Sequence, residues 1–238
     1  MTAATMETLT GWVMRALDTV VDPELDEPIT DLGFVERAAV TLADGGHEVD
    51  VSLRLPTYFC APNFAYLMVA DAHDALVALP GITKVRVRLL DHFAAEEINA
   101  GVAAGDGFAG SFPGEGGGEL DELRRTFRRK AHTACMERAC RRLIADGWQI
   151  DALTDVHLSD LPASPERLSL LRRRDELGLP TTPDSPLLVD DDGEPVLAEQ
   201  AALRLRYAQA VRVSIDGNAG FCRGLLRTRY PKTEEAAR

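Results

Sequence analysis

Cys60 lies within residues 57–64 (TYFCAPNF), where a predicted strand ends and a predicted helix begins. At a helix N-terminus, unpaired backbone N–H groups and the positive end of the helix dipole favour a thiolate, and so lower the pKa of a cysteine. A thiolate there can act as a nucleophile or as a metal ligand. Thr57, three residues earlier, could hydrogen-bond this thiolate or cap the helix. Cys60 is therefore the first candidate for a reactive residue.

Two acidic residues, Asp22 and Glu24, flank Pro23 at the end of the first predicted helix. Because the proline restricts the local backbone, both carboxylates could be presented at one edge of a sheet. There they could bind a metal ion or polarise a thiol. Solvated acidic residues next to a proline stop signal explain the same pattern equally well. Both interpretations stay open on the sequence alone.

The chain has three further cysteines, Cys135, Cys140 and Cys222, and a histidine, His132, close to the first two. His132 and Cys135 share one face of a predicted helix, whereas Cys140 points about 140° away from Cys135, given 3.6 residues per turn. One rigid helix cannot direct all three side chains at one metal ion. A metal site built from these residues and completed by Cys222 is therefore a weaker candidate than ordinary helix packing.

Composition and charge narrow the class of protein. The chain has 238 residues, 45% hydrophobic and 27% charged, which suits one large or two small globular domains. Its apolar runs are too short for a membrane span, and its N-terminus lacks the pattern of a secretory signal, so a cytoplasmic protein is expected. The four cysteines are too few for a disulfide framework. Residues 1–92 hold 14 acidic and 6 basic side chains, which argues against nucleic acid as a partner.

Hydrophobic periodicity predicts a small domain over residues 1–92. Apolar residues recur at helical spacing up to Asp22-Pro23, where the proline disfavours further helix. Alternating segments and turn residues then predict two strands, a helix that begins at Pro62, and a third strand. The predicted order is α-β-β-α-β, a two-layer α+β domain with its helices on one face of the sheet.

The rest of the chain divides into a connection and a second domain. Residues 93–118 combine a short helix with a glycine-rich stretch, 105–118, that has seven glycines and is predicted to be a flexible linker. Its two phenylalanines could instead dock onto a neighbouring surface. Residues 119–238 predict a mainly helical domain of unknown family, with a last helix over about 198–212.

The N-terminal motifs resemble the MIP-eighteen family, also called domain of unknown function fifty-nine, of the iron–sulfur cluster assembly domain superfamily. The resemblance covers residues 6 to about 90. It rests on residues 21–24 (VDPE), 29–35 (ITDLGFV), the set Thr57, Cys60 and Pro62, and 79–87 (LPGITKVRV). It implies a non-catalytic assembly factor for iron–sulfur or other metal-containing proteins, with Cys60 as the reactive centre and Asp22, Glu24 and Thr57 near it.

Counting ligands limits how such a factor would work. Iron–sulfur clusters are usually held by four thiolates or by thiolates and histidine, and the predicted N-terminal domain has one cysteine. Iron or a cluster would therefore be held transiently, with ligands from a client metalloprotein or oxygenase component, a second copy in a homodimer, or the C-terminal cysteines. Two alternatives stay open. One is an accessory interaction subunit of a multicomponent oxygenase, and the other is a cysteine-dependent enzyme, which would need a base within hydrogen-bond reach of Cys60.

Overall fold

A computed structural model of the chain describes residues 3–113 and 117–231. The chain forms two compact units, the first from Met1–Asp121 and Asn218–Arg238, the second from Glu122–Gly217. This division differs from the predicted one, which placed all of residues 119–238 in one domain. Residues 218–231 belong to the first unit instead.

The first unit contains the predicted α-β-β-α-β order, and the α+β class is confirmed. Its elements are α1 (Ala3–Asp18), β1 (Val35–Ala43), β2 (Gly46–Arg54), α2 (Pro62–Val77), β3 (Ile82–Leu90), α3 (Ala95–Ala104) and α4 (Gly107–Ser111).

Strand β2 is the centre of a three-stranded sheet in the order β1-β2-β3. It pairs antiparallel with β1 through a tight hairpin, in which Gly45 has a φ of 85°, a conformation that favours glycine. It pairs parallel with β3, and α2 makes the crossover between them. The carboxyl ends of β2 and β3 therefore meet at the same edge of the sheet.

The core of the first unit lies between the sheet and the helices. Alternate residues of β2, such as Val51 and Leu53, are buried in one hydrophobic core with Val13 and Leu17 of α1 and Val69 of α2. This burial follows from the period-2 pattern of the strand and the 3.6-residue pattern of the helices. Burying a large aliphatic side chain stabilises the fold by about 1.5–3 kcal/mol.

The stretch predicted as a flexible linker is partly folded. Residues 107–111 form α4, and Phe108 is buried, with its ring centroid 5.3 Å from that of Tyr66 and 4.9 Å from that of Phe112. The prediction that these phenylalanines dock onto a neighbouring surface is thus confirmed. The burial of aromatic rings here outweighs the low helix propensity of the glycines around them. The part of the linker prediction that covers residues 114–116 lies outside the described residues.

The second unit is mainly helical. It contains α5 (Gly117–Ala145) from Glu122 onward, short 3₁₀ turns at Asp151–Asp155 and Leu158–Asp160, α6 (Pro165–Leu177), and α7 (Ala198–Arg229) as far as Gly217. Helix α6 is capped at both ends. The Ser164 side chain accepts a hydrogen bond from the Arg167 N–H, and Gly178 takes the left-handed conformation at the C-cap.

Helix α7 continues well past its predicted end near residue 212. The prediction was wrong because three glycines lower the helix propensity of this segment, namely Gly217, Gly220 and Gly224. In the structure, Ala219 is buried in the core of the first unit, and Cys222 and Leu226 pack against that core. Tertiary packing of this face overrides the local propensity. Among the described residues, no helix has the length and apolarity needed to cross a membrane.

Candidate functional site

Cys60 lies in the loop between β2 and α2, and its side chain is half-buried. Ala61 is the N-cap residue of α2 and Pro62 is its first helical residue, so Cys60 immediately precedes the cap. The Thr57 hydroxyl oxygen lies 3.2 Å from the Cys60 sulfur. Of the two roles open to Thr57 in the sequence, the contact with sulfur is the one found. The Cys60 thiol therefore has a polar partner supplied by its own loop.

His92 holds the backbone of Cys60. It is buried just after β3, and its Nε2 lies 2.8 Å from the Cys60 carbonyl oxygen. A carbonyl only accepts, so Nε2 carries the proton, while Nδ1 accepts a hydrogen bond from the Ala94 N–H at 3.2 Å. Burial lowers the pKa of His92, which keeps the ring neutral at physiological pH. His92 is a positioning residue for Cys60.

His92 was not predicted as a site residue from the sequence, although a signal for it existed. Cys60 follows the end of β2, and His92 follows the end of β3. Because these two strands are parallel neighbours, their carboxyl ends lie at one edge of the sheet. A parallel pairing of the second and third predicted strands would have placed both residues at that edge.

Asp22 is buried and shapes the loop after α1. One of its carboxylate oxygens accepts hydrogen bonds from the backbone N–H groups of Glu24 and Leu25, both at 2.9 Å. Burial raises the pKa of Asp22 to about 6, against the opposing effect of these hydrogen bonds. Asp22 thus holds the turn that presents Glu24, and its charge is poorly solvated.

Helix α7 binds this acidic loop. The Asn218 side-chain amide donates to a Glu24 carboxylate oxygen at 3.4 Å, and Arg223 forms an ion pair with Glu27. Cys222 lies on the same turn of the helix and is half-buried. Its thiol pKa is raised to about 11, first by burial and then by the charges of Asp22, Cys60 and Glu24. The first unit therefore brings Cys222 into the electrostatic environment of Cys60.

Exposed aromatic side chains surround the Cys60 loop. Tyr58, Phe59 and Phe93 are 54%, 74% and 50% exposed. The Phe93 N–H donates to the Tyr58 carbonyl oxygen at 3.0 Å, and the two rings have centroids 6.3 Å apart. An apolar lip of this kind beside a thiol is typical of surfaces that contact other molecules. We call these three residues the aromatic lip.

The other predicted ligands, His132, Cys135 and Cys140, lie on α5 within the second unit. All three are buried, and both cysteines pack in the hydrophobic core of that unit. Burial lowers the pKa of His132 to about 4 and raises that of Cys140 to about 12. Over the described ranges, 3–113 and 117–231, no group of three or more His, Cys, Asp and Glu side chains is placed to hold a metal ion.

The segment that contains Cys60 is similar to a known protein family. Residues 12–89 match the family model for iron-sulfur cluster assembly protein. The matched iron–sulfur cluster assembly segment contains Asp22, Glu24, Thr57 and Cys60, whereas Cys222 lies outside it. The resemblance inferred from the sequence motifs is confirmed over this segment, and the match supports a general role in iron–sulfur cluster assembly or maturation. No curated protein and no solved structure matches the chain.

Proposed function

We propose that this chain is an assembly or maturation factor for iron–sulfur or other metal-containing proteins, and that Cys60 carries iron or a cluster fragment to a client. The observation that carries the proposal is the place of Cys60. It lies in the iron–sulfur cluster assembly segment, half-buried, with Thr57 at its sulfur and His92 at its carbonyl.

The loop around Cys60 suits a thiol that binds and then releases a ligand. The backbone is fixed by His92 and by the start of α2, so the sulfur is presented in a defined position. The Thr57 hydroxyl can donate to a thiolate and stabilise its charge before metal arrives. The aromatic lip exposes apolar surface beside the sulfur, where a client would exclude water from the transfer.

The number of ligands favours delivery over storage. A stable cluster usually needs four protein ligands, and cysteine thiolates are the usual ligands of iron in clusters. Within the first unit, the two cysteines are Cys60 and Cys222. A client or a second copy of the chain would supply the remaining ligands, so the cargo stays exchangeable.

We further propose that Cys60 is not an enzymatic nucleophile. Nucleophilic cysteines are activated by a base hydrogen-bonded to the thiol. His92 approaches the Cys60 carbonyl instead, and both of its ring nitrogens are engaged. Its role is to hold the loop, which suits a ligand residue.

Anaerobic reconstitution tests this proposal. The full chain is incubated with iron(II) and sulfide, and absorption spectra of the wild type and of Cys60→Ser are compared. The proposal expects sulfur-to-iron charge-transfer bands in the wild type that are lost or strongly reduced in the variant. A matched control is Cys140→Ala, which removes a buried thiol of the second unit. Identical spectra for the wild type and Cys60→Ser would refute a ligand role.

The aromatic lip supports a second candidate, an accessory subunit that binds an oxygenase component and carries no metal. Complementation in a strain that lacks the gene separates the two. Full activity of the dependent metalloprotein with Cys60→Ala, and loss of that activity with Phe59→Ser, would favour the accessory subunit. The reverse pattern favours the maturation factor.

A further inference from the structure

We propose that a cavity beside the last two turns of α7 binds a small organic acid, a molecule with one carboxylate and an apolar body. The cavity has a volume of about 540 Å³, and its lining residues all belong to the first unit. Pockets that bind small molecules have volumes of about 300–1,000 Å³. Cys60 does not line this cavity, and the proposal does not rest on the proposed function.

Apolar groups in the wall of the cavity suit the body of such a molecule. Leu32 lies in the loop before β1, Leu226 lies on α7, and Tyr230 follows that helix directly. Gly33 has a φ of 77°, and a Cβ added there would lie 3.4 Å from the Cδ2 atom of Leu226. Both the backbone conformation and this close approach favour glycine. The lack of a side chain at Gly33 therefore keeps the space beside Leu226 open.

Two of the three arginines that line the cavity are paired with carboxylates. Arg223 forms an ion pair with Glu27. Arg54 lies with its Nη1 3.6 Å from the Oε1 atom of Glu36, which also lines the cavity. Because these charges offset each other, the two pairs add little net charge to the cavity.

The third arginine, Arg227, is exposed and has no such partner. In the described ranges, 3–113 and 117–231, no carboxylate pairs with its guanidinium group. Arg54 supplies a second unused donor, since its buried Nε has no hydrogen-bond acceptor and lies 3.6 Å from the nearest Asp91 carboxylate oxygen. Buried donors in proteins normally have a partner. A carboxylate in the cavity would accept hydrogen bonds from both guanidinium groups.

Asp31 separates two kinds of ligand. Its side chain is exposed and lines the same cavity. An ammonium group on a ligand would be attracted to Asp31, whereas a simple carboxylate would be repelled by it. The two unused guanidinium donors outnumber this one carboxylate, which favours a simple acid over a zwitterion such as an amino acid.

Isothermal titration calorimetry of the full chain tests the site with two probe acids, cinnamate and octanoate, and with their neutral amides. We expect saturable binding of at least one acid, with a dissociation constant of about 1 mM or lower. Its amide should bind at least about tenfold more weakly, because it lacks the charge that Arg227 would meet. Phenylalanine, which adds an ammonium group, should bind more weakly than cinnamate. No saturable binding by either acid, equal binding of acid and amide, or tighter binding of phenylalanine would overturn the proposal.

Two variants that each change one charge connect this binding to the cavity. Arg227→Gln should weaken binding of the acid about tenfold, and Asp31→Asn should tighten it about twofold. The matched control is Arg206→Gln, which removes an exposed arginine of the same helix within the second unit and should leave the affinity unchanged. Equal affinities for Arg227→Gln and Arg206→Gln, or weaker binding by Asp31→Asn, would overturn the proposed site.

Hydrogen–deuterium exchange of the wild-type chain locates the bound acid without any substitution. The lining residues come mainly from two segments, 31–36 and 223–230. With the probe acid near saturation, peptides that cover these segments should exchange at least about twofold more slowly, because a ligand that binds the folded state suppresses local opening. Peptides from Pro165–Leu177 in the second unit are the control and should be unchanged. Protection confined to segments that do not line the cavity would overturn the proposal.

Discussion

The imidazole of His92 donates from Nε2 to the carbonyl oxygen of Cys60 at 2.8 Å, and this bond joins the ends of two parallel strands. Cys60 is the one cysteine of the family segment, residues 12–89, all of which the structure describes. The hydrogen bond from His92 restrains its backbone. The thiol itself faces Thr57. The site thereby separates two tasks, with a histidine that fixes the main chain and a hydroxyl that contacts the sulfur.

Replacing His92 with alanine should destabilise the first unit. The substitution leaves the Cys60 carbonyl and the Ala94 N–H without their partner, which costs about 1–3 kcal/mol in the free energy of unfolding. Urea denaturation measures this cost, and the yield of iron–sulfide reconstitution should fall with it. His73→Ala is the control, since the His73 ring contacts the exposed carboxylate of its neighbour Asp74. Equal stabilities for the two variants would contradict the positioning role.

Replacing Thr57 with valine keeps the shape of the side chain and removes its hydroxyl. Because that hydroxyl can donate to the charged sulfur, we expect Cys60 to be alkylated by iodoacetamide about three- to tenfold more slowly at neutral pH. Thr57→Ser retains the hydroxyl and should react at nearly the wild-type rate. If valine and serine at this position gave the same rate, the contact would have no effect on the thiol.

Asp22 should make the stability of the protein depend on pH in a defined direction. Its pKa is raised from 3.8 to about 6, so the folded state binds more protons than the unfolded state between these values, and unfolding free energy falls as pH rises. The full effect is about 3 kcal/mol, at 1.36 kcal/mol for each pKa unit. This loss of unfolding free energy is absent below pH 3.8 and complete above pH 6.

Asp22→Asn isolates this effect, because asparagine can still accept from the backbone N–H groups of Glu24 and Leu25 but carries no charge. Urea denaturation of both proteins from pH 4 to pH 7 should show the variant gaining stability relative to the wild type as pH rises. Groups remote from residue 22 are the same in both proteins, so their contributions cancel in the difference. A difference that stays constant over this range would show that Asp22 does not titrate with a raised pKa.

Arg229 should anchor the end of α7. Alanine at this position leaves the Leu55 and Asp91 carbonyls without its guanidinium, at a cost of about 1–3 kcal/mol in unfolding free energy. Arg227→Ala removes an exposed arginine two residues earlier and is the matched control. A loss of stability that is the same in both variants would contradict the anchoring role of Arg229.

Much of the first unit could be predicted from the sequence because its signals are local. The alternation from Val49 to Leu55 fixed the central strand, and Pro62 marked the start of α2. Cys60 and Thr57 were found because they lie three residues apart in one motif. Asp22 was also identified, although its role as a backbone acceptor in its own loop was not.

The parts that were missed depend on contacts between distant segments. Phe108 is buried although glycines surround it in the chain, since its ring meets Tyr66 of α2. His92 required knowledge of the strand pairing. Cys222 was named as a candidate, but its place against the core of the first unit required a helix that continues through Gly217 and Gly220. The packing of Ala219 and Leu226 explains that continuation. Sequence periodicity contains little of this information, because it reports the face that a segment buries and not the partner that covers it.

Transfer to an acceptor tests the central claim, that Cys60 carries iron or a cluster to another protein. The full chain, reconstituted anaerobically and freed of excess iron and sulfide, is mixed with a plant-type apo-ferredoxin, and formation of the holo-ferredoxin is followed by visible circular dichroism. We predict transfer by the wild type and by Cys140→Ala, and at least a tenfold lower rate by Cys60→Ser. Equal rates for the wild type and Cys60→Ser would contradict the account.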